Sequence, residues 1–285
     1  MRRRLLSITI ESFAGPAYAD RPLPFGQLSQ RLVAALTADP HRYELIEPPE
    51  RLDADSIGAA VKQAVRGASG DVVIVHVVSH AEPWGDDVRV VGADGNATPE
   101  SSVRSWLEHA YGDGLSLQTA PDGGESDSAG PWVLFLLDLV QAGEVGPQPW
   151  LAAIADEHRR VWTIAATGAD PSAFNARLTQ AAAEVLADLG SLDVDPARQY
   201  VPLTVFHEAV HRWGQDFGGG GNDQRVSGDH VNVSGPLDLP FFVNPDHSEQ
   251  ARFDGPPDLR AYVSALYEIV DPWHSVTRAA GTAPT

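Results

Sequence analysis

Apolar positions change their period several times along this chain. LLSITIE (5–11) is a short β-branched run, and DVVIVHVVSH (71–80), WVLFLLDLV (132–140) and VWTIAATG (161–168) are apolar at nearly every position. Strands covered on both faces carry such runs, because a parallel sheet is covered by helices on each side. Between the runs the apolar residues recur at helical spacing. LPFGQLSQRLVAALTAD places its leucines this way, and DADSIGAAVKQAVRGA places Ile57, Val61 and Val65 four apart behind aspartates suited to a helix N-terminus. Ser101 to Tyr111, PWLAAIADEHRR and SAFNARLTQAAAEVLADLG, closed by Gly190, read as further helices. YELIE (43–47) is a short strand, DDVRVVGADG a small hairpin, and GDGLSLQTAPDGGESDSAG a long polar loop.

Alternation of this kind from residue 5 to residue 190 predicts one mostly parallel sheet with helices on both faces, a three-layer α/β/α sandwich. The reading is a single domain over 1–275, with its sheet core in 3–190. Late helices and loops occupy 191–275: the helix containing HEAVH, a glycine-rich acidic loop over 217–237, the stretch LPFFVNP, and a final helix in PPDLRAYVSALYEIV. Residues 276–285 read as a tail or linker, and no internal repeat is present.

Composition narrows the chemistry. The 285 residues include no cysteine, which excludes disulfides, thiolate metal sites and every cysteine nucleophile. A formal charge of −19 opposes nucleic acid and anionic membrane as partners; it serves solubility first, with attraction of a basic protein or peptide as the alternative. The apolar part of MRRRLLSITIESF ends within a few residues at Glu11, too early for a signal peptide or a membrane span, so a cytoplasmic location is expected.

Two constellations carry candidate chemistry. The first is HEAVH: His207, Glu208 and His211 match the H-E-x-x-H pattern of helical zinc peptidases. A catalytic zinc needs a third protein ligand. The extended form of the motif would put it at 217, which is Phe217, with Asp216 one residue early; Glu268 or an aspartate of the acidic loop would have to serve instead. No internal methionine exists to form the methionine turn of the extended family. Leu203, Phe206, Val210 and Trp213 form an apolar stripe on the same helix, so a structural helix with no metal is expected, and a zinc peptidase at His207 and His211 is the alternative.

The second lies at two strand tips, where open parallel sheets gather their functional residues. One long run ends in His80, the next in Asp138-Leu-Val140-Gln-Ala142-Gly143. This pair resembles the caspase-like peptidases, including metacaspases and bacterial caspase homologues, whose signatures are S/G-H-G for the base and D-x-C-x-S-G for the nucleophile. The opening strand with its long first loop, IAATGADPSAFNARLTQAAAEVL, and the P-F-x-x-N-P-like DLPFFVNPD are similar to segments of that family in the same order. The resemblance covers most of 3–247. It implies the caspase-like sandwich, no cofactor, and a histidine base serving a cysteine.

The departures change what the resemblance implies. Val140 stands at the nucleophile position, Ala142 where serine is usual, and Ala81 replaces the glycine after the histidine. A valine has no lone pair with which to attack a carbonyl, so His80 is a vestigial base, expected at an exposed strand tip. Ser79 points to the opposite face from its neighbour and Thr167 is more remote, which leaves a substituted nucleophile as a weaker enzymatic alternative. Asp138 has two readings: part of a pocket for a basic side chain, as in metacaspase-like members, or a strand-end aspartate tied to nearby backbone N–H groups. His76, inside its strand, reads as a hydrogen-bonded core residue. The function implied is an inactive caspase-like domain with a binding or regulatory role, in a signalling or defence system, acting on a protein or peptide partner.

Overall fold

A computed structural model describes residues 1–66, 70–85, 87–115, 130–140, 160–168, 176–216, 225–228 and 239–248. In chain order these form β1 (Arg3–Thr9), α1 (Gly26–Thr37), β2 (Glu44–Ile46), α2 (Ala54–Val65), β3 (Val72–Trp84), β4 (Asp87–Val91), β5 (Ala97–Ser102), α3 (Val103–Leu115), β6 (Trp132–Val140), β7 (Val161–Gly168), α4 (Arg177–Ala187), α5 (Leu203–Asp216) and β8 (Arg225–Gly228). The helix expected in PWLAAIADEHRR, the polar loop 116–129, the C-terminal helix and the tail 276–285 lie outside the described residues.

The main sheet runs β2-β1-β3-β6-β7-β8, with β1, β2, β3, β6 and β7 mutually parallel and β8 antiparallel to β7. Chain order reverses between β1 and β3, since β2 lies on one side of β1 and β3 on the other. That reversal sends α1 and α2 to opposite faces, as right-handed crossovers require. On one face Val73, Val75, Phe135 and Leu137 pack with Ile57 and Val61 of α2 and Trp106 of α3. On the other, Ile74, Leu134, Leu136 and Ile164 pack with Leu32 of α1, Ala181 of α4 and Phe206 of α5. The three-layer α/β/α sandwich expected from the apolar runs is therefore present.

Two expectations need correction. The loop 217–237 contains a strand, β8, whose hydrogen-bonding partner β7 supplies order that its glycine-rich flanks do not advertise. The run 71–80 also does not stop at His80. It continues to Trp84 because β4 folds back antiparallel on Ala81–Trp84 and itself pairs with β5.

The helices start in different ways. Asp53 caps α2 locally, its carboxylate accepting from Ser56 N–H at 2.9 Å. The residues before α1 and α4, Phe25 and Ala176, offer no side-chain cap. Carboxylates from elsewhere take the role. Glu11 accepts from Gly26 N–H at 3.0 Å, and Asp138 Oδ2, from the neighbouring strand, accepts from Thr179 N–H at 2.9 Å. The DLPFFVNPD stretch closes the α1/α4/α5 face. Tyr43 Oη–H donates to Phe241 O at 2.7 Å, Val243 N–H to His41 Nδ1 at 3.1 Å, and buried Asn244 donates to the carbonyls of Asp195 and Arg198.

His41 and His76 are both buried and held neutral. Burial pushes His76 down to about 3, and burial with the nearby Arg3 charge pushes His41 down to about 4. Unfolding returns both to about 6.5. The unfolded chain therefore binds more protons between about pH 6.5 and those depressed values, and stability is lost as pH falls through that window. The slope from each is about 1.4 kcal/mol per pH unit. Denaturant titrations at pH 7, 6 and 5 should show this loss, and His76→Gln should flatten it by about one histidine's share. An unchanged slope would mean His76 is not buried neutral.

Candidate functional site

In sheets of this topology, ligands bind outside the carboxyl ends of the strands, near the point where strand order reverses. Here that place is the edge formed by the ends of β1, β3 and β6. His80 and Val140 are there, paired at the same level of the parallel ladder. Side chains at one level of such a ladder share a face, on strands about 4.8 Å apart, so His80 and Val140 are neighbours. Ser79 bonds away from them, its hydroxyl donating to Val91 O at 2.7 Å. Thr167 is level with Leu139, one step off His80 and Val140. Ala142 and Gly143 lie outside the described residues.

His80 is not exposed, contrary to the expectation for a strand tip. It is 1% accessible. The loop after β1 crosses over it: the ring meets Phe13 edge-on at 4.8 Å and Tyr18 at 4.9 Å, and Nε2 donates to Arg21 O at 2.9 Å. A carbonyl can only accept, so Nε2 carries the proton and Nδ1 holds a lone pair. Among the described residues Nδ1, which is buried, has no hydrogen-bond partner. Desolvation pushes the His80 pKa down, which keeps that lone pair in place at neutral pH.

Asp138 is wholly buried on β6, two residues before Val140. Its Oδ2 accepts both N–H and Oγ1–H of Thr179, at 2.9 and 2.8 Å. Of its two sequence readings, the tie to a backbone N–H is what the geometry contains. The network continues inward. Thr179 has spent its one hydroxyl proton, so His76 Nε2 must donate to it across 3.0 Å, and Nδ1 accepts from Ser7 Oγ–H at 2.9 Å. His76 is thus the hydrogen-bonded core residue expected of it. It resembles a relay in order only: Ser7 sits in the middle of β1, away from the strand ends.

On α5 the stripe falls as its spacing requires, with Leu203, Phe206 and Val210 buried and Trp213 packed beside them. His207 is half-buried and His211 exposed, their ring centroids 6.4 Å apart. Among the described residues no group of three or more histidines, aspartates or glutamates is placed to hold a metal. No described helix is long and apolar enough to cross a membrane.

No protein-family model matches this sequence, and no curated protein matches it. Solved structures do match. Protein GSU0716 from Geobacter sulfurreducens aligns with a TM-score of 0.50 at 14% identity, over 85% of this chain and 99% of that one. Caspase-1 from Spodoptera frugiperda aligns at 0.46 and 14%, over 74% and 77%, and the Drosophila initiator caspase Dronc at 0.43 and 13%, over 79% and 76%. These are likenesses of fold. The cysteine that a caspase-like peptidase needs is absent from the whole sequence.

Two outcomes follow from this geometry. His80→Ala removes a buried ring packed between two aromatics and should cost about 2–3 kcal/mol in chemical denaturation. His80→Phe keeps the ring contacts and removes the unpaired nitrogen, so it should cost clearly less; equal losses would mean that ring packing is not what holds His80. Protein purified without an affinity tag should carry far less than one zinc per chain by elemental analysis. Near-stoichiometric zinc that disappears in His207→Ala would restore the zinc reading.

Proposed function

We propose that this chain is a caspase-like pseudopeptidase: a domain without peptidase activity that uses the edge at the ends of β3 and β6 to bind a protein or peptide segment. The reading places it in the cytoplasm, within a signalling or defence system. The observation that carries it is the level pairing of His80 with Val140 in a chain that has no cysteine. The base position is kept in register with a residue that cannot attack, and a histidine with nothing to activate can still hold a backbone, as its bond to Arg21 O illustrates.

A basic segment is the favoured partner. The formal charge of −19 draws positive chains toward the molecule as a whole. Asp138, two residues before the end of β6, is the candidate acidic residue behind the edge. Wild-type protein is expected to leave arginine- and lysine-terminated reporter peptides intact.

Val140→Cys tests the pairing directly. If His80 and residue 140 adjoin, the free lone pair of His80 can take the thiol proton, and the thiol pKa should fall relative to Val140→Cys/His80→Gln. The comparison uses the pH dependence of alkylation, because burial slows both variants alike whereas the midpoint reports the neighbour. A difference of about one unit or more is expected. Identical midpoints in two folded variants would remove the dyad position, and reporter cleavage by the wild type would remove the pseudopeptidase reading.

A further inference from the structure

The stretch Phe13–Leu23 covers the candidate site, and its construction suggests why. Phe13, Tyr18 and Leu23 are buried, five residues apart, while Ala14, Pro16, Ala17 and Ala19–Pro22 are exposed. The segment is fastened at both ends. Ala14 N–H donates to Ala93 O at 2.7 Å and Leu23 N–H to Glu11 O at 2.9 Å. Gly15 lies so close to the β4–β5 turn that a Cβ on it would stand 2.9 Å from the Cα of Gly95, itself held at φ +78°. In the middle, a bond from a side chain of the strap joins it to β3: Tyr18 Oη–H donates to Glu82 Oε1 at 2.7 Å.

The contact beneath is of a different kind. His80 Nε2–H holds a main-chain carbonyl, that of Arg21, although Arg21 itself is exposed, and among the described residues the buried Nδ1 of the same ring has no hydrogen-bond partner. Buried polar atoms without partners are uncommon and call for an explanation, and this one lies at the carboxyl edge of a parallel sheet, where ligands bind. An extended peptide offers both groups the ring can use, a carbonyl for Nε2–H and an N–H for Nδ1.

We propose that Phe13–Leu23 is an autoinhibitory strap: an internal occupant of the peptide site, held shut by the Tyr18–Glu82 latch, which an external extended peptide must displace so that its own carbonyl replaces that of Arg21 on His80. This rests on the peptide-binding reading above. A tethered segment competes at an effective concentration in the millimolar range, so free peptide binds weakly while the latch is closed. Its apparent affinity rises in proportion to the open fraction.

The probe is a fluorescein-labelled synthetic peptide of residues 12–24 of this chain, titrated by anisotropy against the wild type, Tyr18→Phe and Gly15→Ala, with backbone hydrogen exchange followed over residues 13–23. Tyr18→Phe keeps the ring and deletes the latch proton, leaving Glu82 free for the tyrosine of the added peptide. Gly15→Ala pushes the strap off the turn without touching His80. We expect faster exchange across 13–23 in both variants and peptide affinity at least about tenfold tighter than the wild type, with the gain abolished in Tyr18→Phe/His80→Phe. Unchanged exchange in both folded variants overturns the latch and leaves the peptide-binding reading standing. Wild type binding the peptide as tightly as the variants overturns autoinhibition and supports that reading. Faster exchange with no gain in binding overturns both.

Discussion

Asp138 accepts two hydrogen bonds from Thr179 at a point where no water reaches, and the direction of every bond beyond it follows. The threonine hydroxyl gives its proton to the carboxylate, so it can only accept from His76, and His76 in turn can only accept from Ser7. One buried acceptor thereby sets the tautomer of a fully buried histidine and joins β1, β3, β6 and α4 by polar contacts in an otherwise apolar layer. Apolar packing alone tolerates sliding; a chain of bonds with one permitted direction does not. The levels of β3 and β6 are fixed by it at His76 and Asp138, four residues before His80 and two before Val140, and that is what makes the pairing of His80 with Val140 a definite geometry.

Much of this was legible from residue patterns. Runs apolar at every position identify central parallel strands because both faces are covered, and the three such runs are β3, β6 and β7. The stripe on α5 followed from spacing alone, and so did the local cap at Asp53. The placement of His80 and Asp138 toward the carboxyl ends of neighbouring parallel strands, the edge where ligands bind in such sheets, was legible as well.

What pattern could not supply was contact across long separations. His80 is buried by residues from a loop far earlier in the chain, and nothing near position 80 announces it. The same holds for Asp138, whose partner Thr179 belongs to a helix beyond the next strand. β8 escaped notice for a related reason: four residues with weak strand character become a strand only because β7 offers an open edge. In each case the deciding interaction is a pairing, and a single stretch of sequence contains half of it. The spacing of Phe13, Tyr18 and Leu23 was the one available signal that the first loop is packed down.

The unequal helix starts carry a consequence for how the molecule comes together. Because α2 contains its own cap, its first turn can be organised by neighbours in sequence, and a short helix there gains a foothold before the sheet exists. Helices α1 and α4 lack that foothold. Their first turns are completed by Glu11, just past the end of β1, and by Asp138, inside β6, so each helix and its strand must be present together for either to be settled. Order in one layer is thus conditional on order in the other, and the α1/α4 side of the sandwich should form and dissolve as a unit with the sheet, whereas the α2 side retains a measure of local independence.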